Sequence, residues 1–265
     1  YNVFQKPKAE EIASRHGFTL EKLPDHIRPG GLKGLDVESY LSGETIVDRA
    51  NIAAFLGNIE YPLYFLDYET VMPAVPLFDG TRPFQQIPFQ FSVHVQESPD
   101  AQLVHHEYLH KERTDPRRYF AEKLVDLCGD EGTVLVYNQA FEIARNNELA
   151  DAFPEYAAAI QSINARVLDL LVPFKSRWLY HPNQKSSASI KAVLPAFTDF
   201  NYDDLQIGHG GEAMRQYSAF MSGDLHESLW PDLWDNLTEY CQQDTYAMAV
   251  LLDVLRQHAG DSYNG

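Results

Sequence analysis

Two carboxylates close a short apolar run, Leu63-Tyr64-Phe65-Leu66-Asp67-Tyr68-Glu69-Thr70. The run is aromatic, apolar and brief, the pattern of a buried strand. Asp67 and Glu69 stand two positions apart, and on a strand that spacing turns both side chains to one face. Two like charges at the end of a buried strand are costly unless something positive compensates them. A divalent cation is the simplest compensation, and carboxylate oxygens suit Mg²⁺ or Mn²⁺. The same spacing recurs at Asp36-Val37-Glu38. No strand precedes that copy, so it reads as a solvated pair or a helix N-terminus.

Two more acids match the Asp67 strand. Glu142 follows Val136-Tyr137-Asn138-Gln139-Ala140-Phe141, where a strand turns into a helix. Ligand groups gather at such turns in α/β sheets, although an acid there also simply complements the helix dipole. Asp244 lies on a stripe with Leu233, Leu237, Tyr240, Cys241, Met248, Leu251 and Leu255. Residues three and four apart share a helix face, so Asp244 is a carboxylate on the core-facing side. A partly buried, hydrogen-bonded acid is the alternative reading.

An α/β sheet would position these acids. Strands are expected at 61–68, at 87–95 with Phe89, Phe91, Val93 and Val95 on one face, and at 102–109. Asp115-Pro116 opens a helix to Cys128, with Asp115 as N-cap. A strand at 133–137 runs into a helix at 140–152. A helix at 154–163, a strand at 166–171 and helices at 187–194, 211–221 and 229–257 follow. Three strands in succession and then alternation fit a mixed sheet with helices on its faces.

Taken together, the three acidic segments resemble the DEDD exonucleases, in the subgroup with Tyr ahead of the last Asp. The matching text is Asp-x-Glu-Thr at 67–70, Asn-x-x-x-acid at 138–142 and Tyr-x-x-x-Asp at 240–244. The sequence departs from that pattern with Glu142 where Asp is usual and Tyr137 where His often precedes Asn. Text at 61–70, 76–83, 189–195 and 240–245 also resembles an uncharacterised bacterial family, the domain of unknown function numbered 2779, which is placed among RNase H-like domains. The resemblance spans residues 46–256.

The resemblance implies an RNase H-like α/β fold and a 3′–5′ exonuclease acting on DNA or RNA with two Mg²⁺ or Mn²⁺ ions. Such ions lie about 3.5–4 Å apart and activate water while stabilising the leaving alkoxide. By resemblance, Asp67 bridges them, and Glu69 and Asp244 complete the site of the attacking water. Glu142 holds the second ion, through water. Tyr240 orients the nucleophile, and Thr70 and Asn138 contact the terminal nucleotide. Lys185 and Lys191, near a helix start, are candidates to meet a phosphate. The alternative is a catalytically weak or inactive RNase H-like domain that binds nucleic acid or a partner protein.

The 265 residues fit one large domain, or a domain with an extension. The expected division is a helical N-terminal extension at 1–60, the RNase H-like domain at 61–258 and a tail at 259–265. The chain starts at Tyr1 rather than Met, so a further N-terminal domain is expected outside it. No apolar stretch approaches the roughly 18 residues of a membrane span, and no signal peptide is visible. The two cysteines, Cys128 and Cys241, have neither zinc-ribbon spacing nor a partner pattern, and read as buried thiols in a reducing cytoplasm. A net charge of −17 works against broad electrostatic capture of nucleic acid, so any contact must be local or supplied by another part of the protein.

His106-Glu107-Tyr108-Leu109-His110 matches the zinc-protease spacing H-E-x-x-H. That reading needs a helix with both histidines on one face and a third ligand downstream. The flanking text gives no helical stripe. On a strand the two histidines stand about 13 Å apart, too far for one ion. His181, His209 and His226 are unpaired in the pattern and read as surface or capping residues.

Overall fold

A computed structural model describes residues 6–16, 19–22, 28–202 and 205–260. Its helices and strands run α1 (Lys6–His16), α2 (Gly31–Ser42), β1 (Ile46–Val47), α3 (Arg49–Leu56), β2 (Leu63–Val71), β3 (Ile87–Gln96), β4 (Val104–Leu109), α4 (Arg117–Cys128) and β5 (Thr133–Val136). They continue with α5 (Gln139–Ala152), α6 (Ala157–Ala165), β6 (Val167–Asp169), α7 (Leu171–Lys175), β7 (Leu179–Tyr180), α8 (Ile190–Phe197), α9 (Gly210–Ser222) and α10 (Trp230–Ala259). The fold is α/β, with a mixed five-stranded sheet flanked by helices.

The chain divides into two compact units. Ile59–Leu170 and Tyr202–Val250 form the sheet unit, and Tyr1–Asn58, Leu171–Asn201 and Leu251–Gly265 form the other. This partition differs from an extension at 1–60 followed by one domain at 61–258. The cause is pairing at long range: β1 and β7 form an antiparallel ladder, Ile46 opposite Tyr180, which ties 171–201 to the N-terminal segment. Of the expected tail, 261–265 lie outside the described residues.

In the sheet the strand order is β4-β3-β2-β5-β6. β3 runs antiparallel to β2 and β4, whereas β5 runs parallel to β2 and β6. β2 is therefore central. Every residue of it is buried except half-buried Asp67. One face carries Tyr64, Leu66 and Tyr68 of β2 with Phe91, Val93 and Val95 of β3, packed on Phe120 and Leu124 of α4, Leu149 of α5 and Ile160 of α6. The opposite face meets α10: Gln90 Nε2 donates to Leu237 O at 2.9 Å, and Ser92 Oγ and His94 Nδ1 each reach Thr245 Oγ1 at 2.8 Å. Gly132, at φ 79°, starts β5 against Pro62, where any side chain would collide with the Pro62 carbonyl. That close approach sets β5 beside β2.

The expected alternation of Phe89, Phe91, Val93 and Val95 breaks at Phe89. Register shifts between Glu69 and Thr70, so β3 carries one extra residue there. A bulge puts two consecutive residues opposite one and re-aims a side chain. Phe89 consequently joins the cluster of Val71, Ile87, Leu233 and Tyr240, stacking on Tyr217 of α9 at 3.6 Å. Other boundaries shift slightly. α4 begins at Arg117, with Asp115 Oδ1 accepting the Arg117 N–H at 3.1 Å, and the helix expected at 187–194 runs from Ile190 to Phe197. Among the described residues, no helix is long and apolar enough to cross a membrane.

Asp36 overturns its reading as a solvated acid. It lies inside α2, 1% exposed, while Glu38 is exposed. Arg177 grips it with two bonds, Nε to Oδ1 at 2.5 Å and Nη2 to Oδ2 at 3.1 Å. The guanidinium also covers the Tyr180 ring at 4.8 Å. Removing one partner of such a pair leaves a buried, uncompensated charge, at a cost of about 3–5 kcal/mol. Asp36→Asn should therefore lower the denaturant midpoint of the protein strongly, in chelator and in metal alike.

His94 gives a second expectation. Burial, with repulsion from His105 and His106, pushes its pKa from 6.5 down to about 4. Across that window the unfolded chain binds a proton that the folded one refuses, so stability is present above pH 6.5 and is lost as pH falls towards 4. Thermal melts from pH 7 to pH 4 should decline less steeply for His94→Gln than for wild type.

Candidate metal centre

β2 and α10 bring the acids together. Strand periodicity turns Asp67 and Glu69 to the α10 face, opposite Ser92 and Gln90 of β3. On α10, Tyr240, Cys241 and Asp244 fall on the buried stripe, fixed to the sheet through Leu237 and Thr245. One carboxylate oxygen from each of Asp67, Glu69 and Asp244 lies within 4.8 Å of the others. All three line a cavity of about 260 Å³, together with Thr70, Tyr240, Gln86, Phe141 and Gly210.

Three charges at that spacing repel by about 3 kcal/mol per pair at the effective dielectric near a protein surface. The fold offsets part of this. Gly210 opens α9 so close to Glu69 that a Cβ there would stand 3.6 Å from Oε2. The positive end of a 13-residue helix thus faces a carboxylate that is only 6% exposed. His209 caps that helix, accepting the Glu212 N–H at 3.2 Å. The Tyr202 hydroxyl donates to Asp244 Oδ1 at 2.6 Å.

The remaining groups around the triad hold their protons. Burial first, then Asp244, Glu69 and Asp67, push the Tyr240 phenol far above its ordinary value. Burial and Asp67 do the same to the Cys241 thiol, whose Sγ lies 3.9 Å from Asp67 Oδ2. Glu142, in the first turn of α5, is 2% exposed, and its Oε2 has no hydrogen-bond partner among the described residues. Burial first and Asp67 second raise its pKa well above the carboxylate range. Glu142 is close enough to feel Asp67 but stands outside the 4.8 Å cluster.

The expected substrate residues separate. Thr70 lines the cavity. Asn138 is exposed and left-handed, at φ 96°, with its backbone N–H bonded to Asp169 Oδ1 at 2.9 Å. Lys185 and Lys191 belong to the other compact unit, Lys185 exposed at a left-handed turn and Lys191 at the start of α8. The H-E-x-x-H text lies on edge strand β4 and beyond it, with His106 exposed and His110 buried on Tyr108 and Thr114, not on a helix. His181, His209 and His226 each accept a backbone N–H at a helical start, as their capping reading predicts.

Three contributors escaped the sequence reading. Tyr202 is 42 residues from Asp244, in a segment without periodicity. Gly210 sits in glycine-rich text that reads only as a turn. Asp169, at the end of parallel strand β6, accepts the Asn138 and Gln139 N–H groups at the mouth of α5. The strand-end argument that singled out Glu142 would have found it.

Residues 64–189 match the family described as a domain of unknown function, DUF2779. The chain is 29% identical to "Uncharacterized protein MG366 homolog" of Mycoplasma pneumoniae over 210 residues, covering 72% of this chain and 32% of that protein. It is 23% identical to "Uncharacterized protein UU173" of Ureaplasma parvum serovar 3 over 232 residues, 80% of this chain and 34% of the other. "Uncharacterized protein MG366" of Mycoplasma genitalium is 25% identical over 207 residues, with 71% and 31% covered. The chain spans about a third of the length of these relatives. No solved structure matches it significantly.

Glu142 supplies a test of the buried chemistry. An acid with a raised folded pKa keeps its proton where the unfolded chain releases it, so stability falls as pH rises above 4.5 towards the raised value. Glu142→Gln removes that loss. In chelator, the melting temperature of the variant relative to wild type should climb by a few degrees from pH 4 to pH 8. A pH-independent difference would mean that Glu142 is charged in the fold.

Proposed function

We propose that the sheet unit is an RNase H-like nuclease of the DEDD type, Tyr subgroup, hydrolysing phosphodiester bonds of DNA or RNA from the 3′ end. One observation carries the reading: acids 175 or more positions apart in the chain, on a central strand and a C-terminal helix, converge within 4.8 Å in one cavity. The donor set, three carboxylates with hard oxygens, fits Mg²⁺ or Mn²⁺. Glu142, buried and with Oε2 unpartnered among the described residues, would hold a second ion only by giving up the proton that burial and Asp67 favour. Such ions, when bound, supply an activated water and neutralise charge on the leaving oxygen.

The protein's own residues divide the rest. Asp67, Glu69 and Asp244 hold the charge, with Glu142 behind Asp67. Tyr240 keeps its proton, so its hydroxyl orients a water or phosphate oxygen rather than acting as base. Thr70 lines the wall where a terminal nucleotide would sit. Positive charge is local and paired: Arg145 bonds Gln86, lies 5.5 Å from the centre of the Phe141 ring and meets Glu148 Oε2 at 3.1 Å, and Gln86 and Phe141 line the cavity. This suits a protein whose net charge of −17 opposes long-range capture.

Glu142 outside the acid cluster and the acidic surface favour a second reading, a weak or inactive domain that binds nucleic acid or a partner protein. Activity and metal binding separate the two. On a 5′-labelled oligonucleotide in Mn²⁺, wild type should release nucleotides, Asp67→Asn should lose at least about a hundredfold, and His106→Ala should stay near wild type. Millimolar Mn²⁺ should raise the wild-type melting temperature by mass action. It should raise that of Asp67→Asn much less, and that of the exposed control Asp235→Asn as much as wild type. A metal response without turnover would favour the second reading. An equal response in Asp67→Asn would sink the first.

A further inference from the structure

We propose that Tyr202 is a positioning residue for this acid triad. Its hydroxyl holds Asp244 in the orientation that receives a divalent cation beside Asp67 and Glu69. The inference rests on the metal reading above and adds to it a residue that no strand, helix or spacing argument assigns.

Asp244 is the triad member that most needs such a tether. Asp67 and Glu69 extend from a central strand and are paired with Ser92 and Gln90 of β3. Asp244 is a half-buried side chain on a helix, with two rotatable bonds and two like charges in front of it. Tyr240, one turn earlier on the same helix, also bonds this carboxylate, and repulsion from Asp67 and Glu69 still favours a swing towards water. Tyr202 lies outside α10, in the segment ahead of α9, so it can oppose that swing from a separate element. The bond is 2.6 Å from hydroxyl to Oδ1, within the short range of an O–H donor on a carboxylate. Tyr202 is a rigid ring with few rotamers, so little freedom is lost in holding the bond. A hydrogen-bond partner that orients a metal ligand typically changes metal affinity by about 10–100-fold when removed.

The test uses Mn²⁺ alone as probe, in calorimetric titrations at 20 °C of protein shown to be folded by circular dichroism. Tyr202→Phe should weaken Mn²⁺ binding about tenfold, whereas its melting temperature in chelator should move by only a few degrees. In an Asp244→Asn background, Tyr202→Phe should cost no further affinity, because the group it orients is already gone. A merely structural tyrosine would lower the melting temperature and leave the isothermal Mn²⁺ affinity unchanged, and that result overturns the inference alone. Additive losses in the double variant also overturn it. If wild type binds no Mn²⁺, the metal reading falls and takes this inference with it.

Discussion

Three carboxylates held within 4.8 Å, two on a buried strand and one on the helix packed across it, are the constraint on which the sheet unit turns. Repulsion among them favours splaying the acids into solvent, and the fold opposes it from three directions. Pairing with Ser92 and Gln90 of β3 keeps β2 from rotating Asp67 and Glu69 away. The polar contacts of α10 with β3, through Leu237 and Thr245, pin the helix that carries Asp244. The N-terminus of α9 and the Tyr202 hydroxyl supply positive potential where the charge is densest. Such an arrangement costs stability in the bare protein.

What the sequence made legible was local and periodic. Alternation over two positions gave the shared face of Asp67 and Glu69, and the 3.6-residue repeat gave the Asp244 stripe, because both depend only on neighbours in the chain. The fold class followed from the order of those elements. Less legible was whatever depends on a partner far along the chain. Asp36 shares its triplet with the metal candidate, but a helix sends i and i+2 in different directions, and its partner Arg177 is 141 residues away. The bulge at Phe89 is set by the pairing of β3 with β2 and leaves no mark in an alternating run. Tyr202 has the same difficulty, since its role exists only once α10 is folded beside it. Glu142 was found by position, yet its burial and distance from the triad were not readable from the turn that carries it.

The charge balance shapes the kind of substrate contact available. Under the proposed nuclease reading, a chain of net charge −17 gains nothing from broad attraction to phosphates, and recognition would be built from contacts at the cavity itself. The cavity walls are suited to that. Phe141 offers a ring, Thr70 a hydroxyl and Gln86 an amide, with Arg145 held behind by Gln86 and Phe141. Binding through such neutral groups depends less on salt than binding through a basic face.

The protonation states around the triad narrow the chemistry further. A hydrolytic site without a held cation needs a side chain that attacks or a base poised near neutral pH. Cys241 is the nearest nucleophilic atom, and burial beside Asp67 keeps it a thiol. Tyr240 and Tyr202 are driven the same way by burial and the acids around them. Glu142 holds its proton for the same two reasons. Every polar group next to Asp67, Glu69 and Asp244 with a resolved shift is therefore biased towards its neutral, protonated form. Asp67, Glu69 and Asp244 thus bring acidic oxygens within 4.8 Å of one another among neighbours that resist ionising. Under the reading proposed above, that concentration of hard oxygens is what a divalent cation would use.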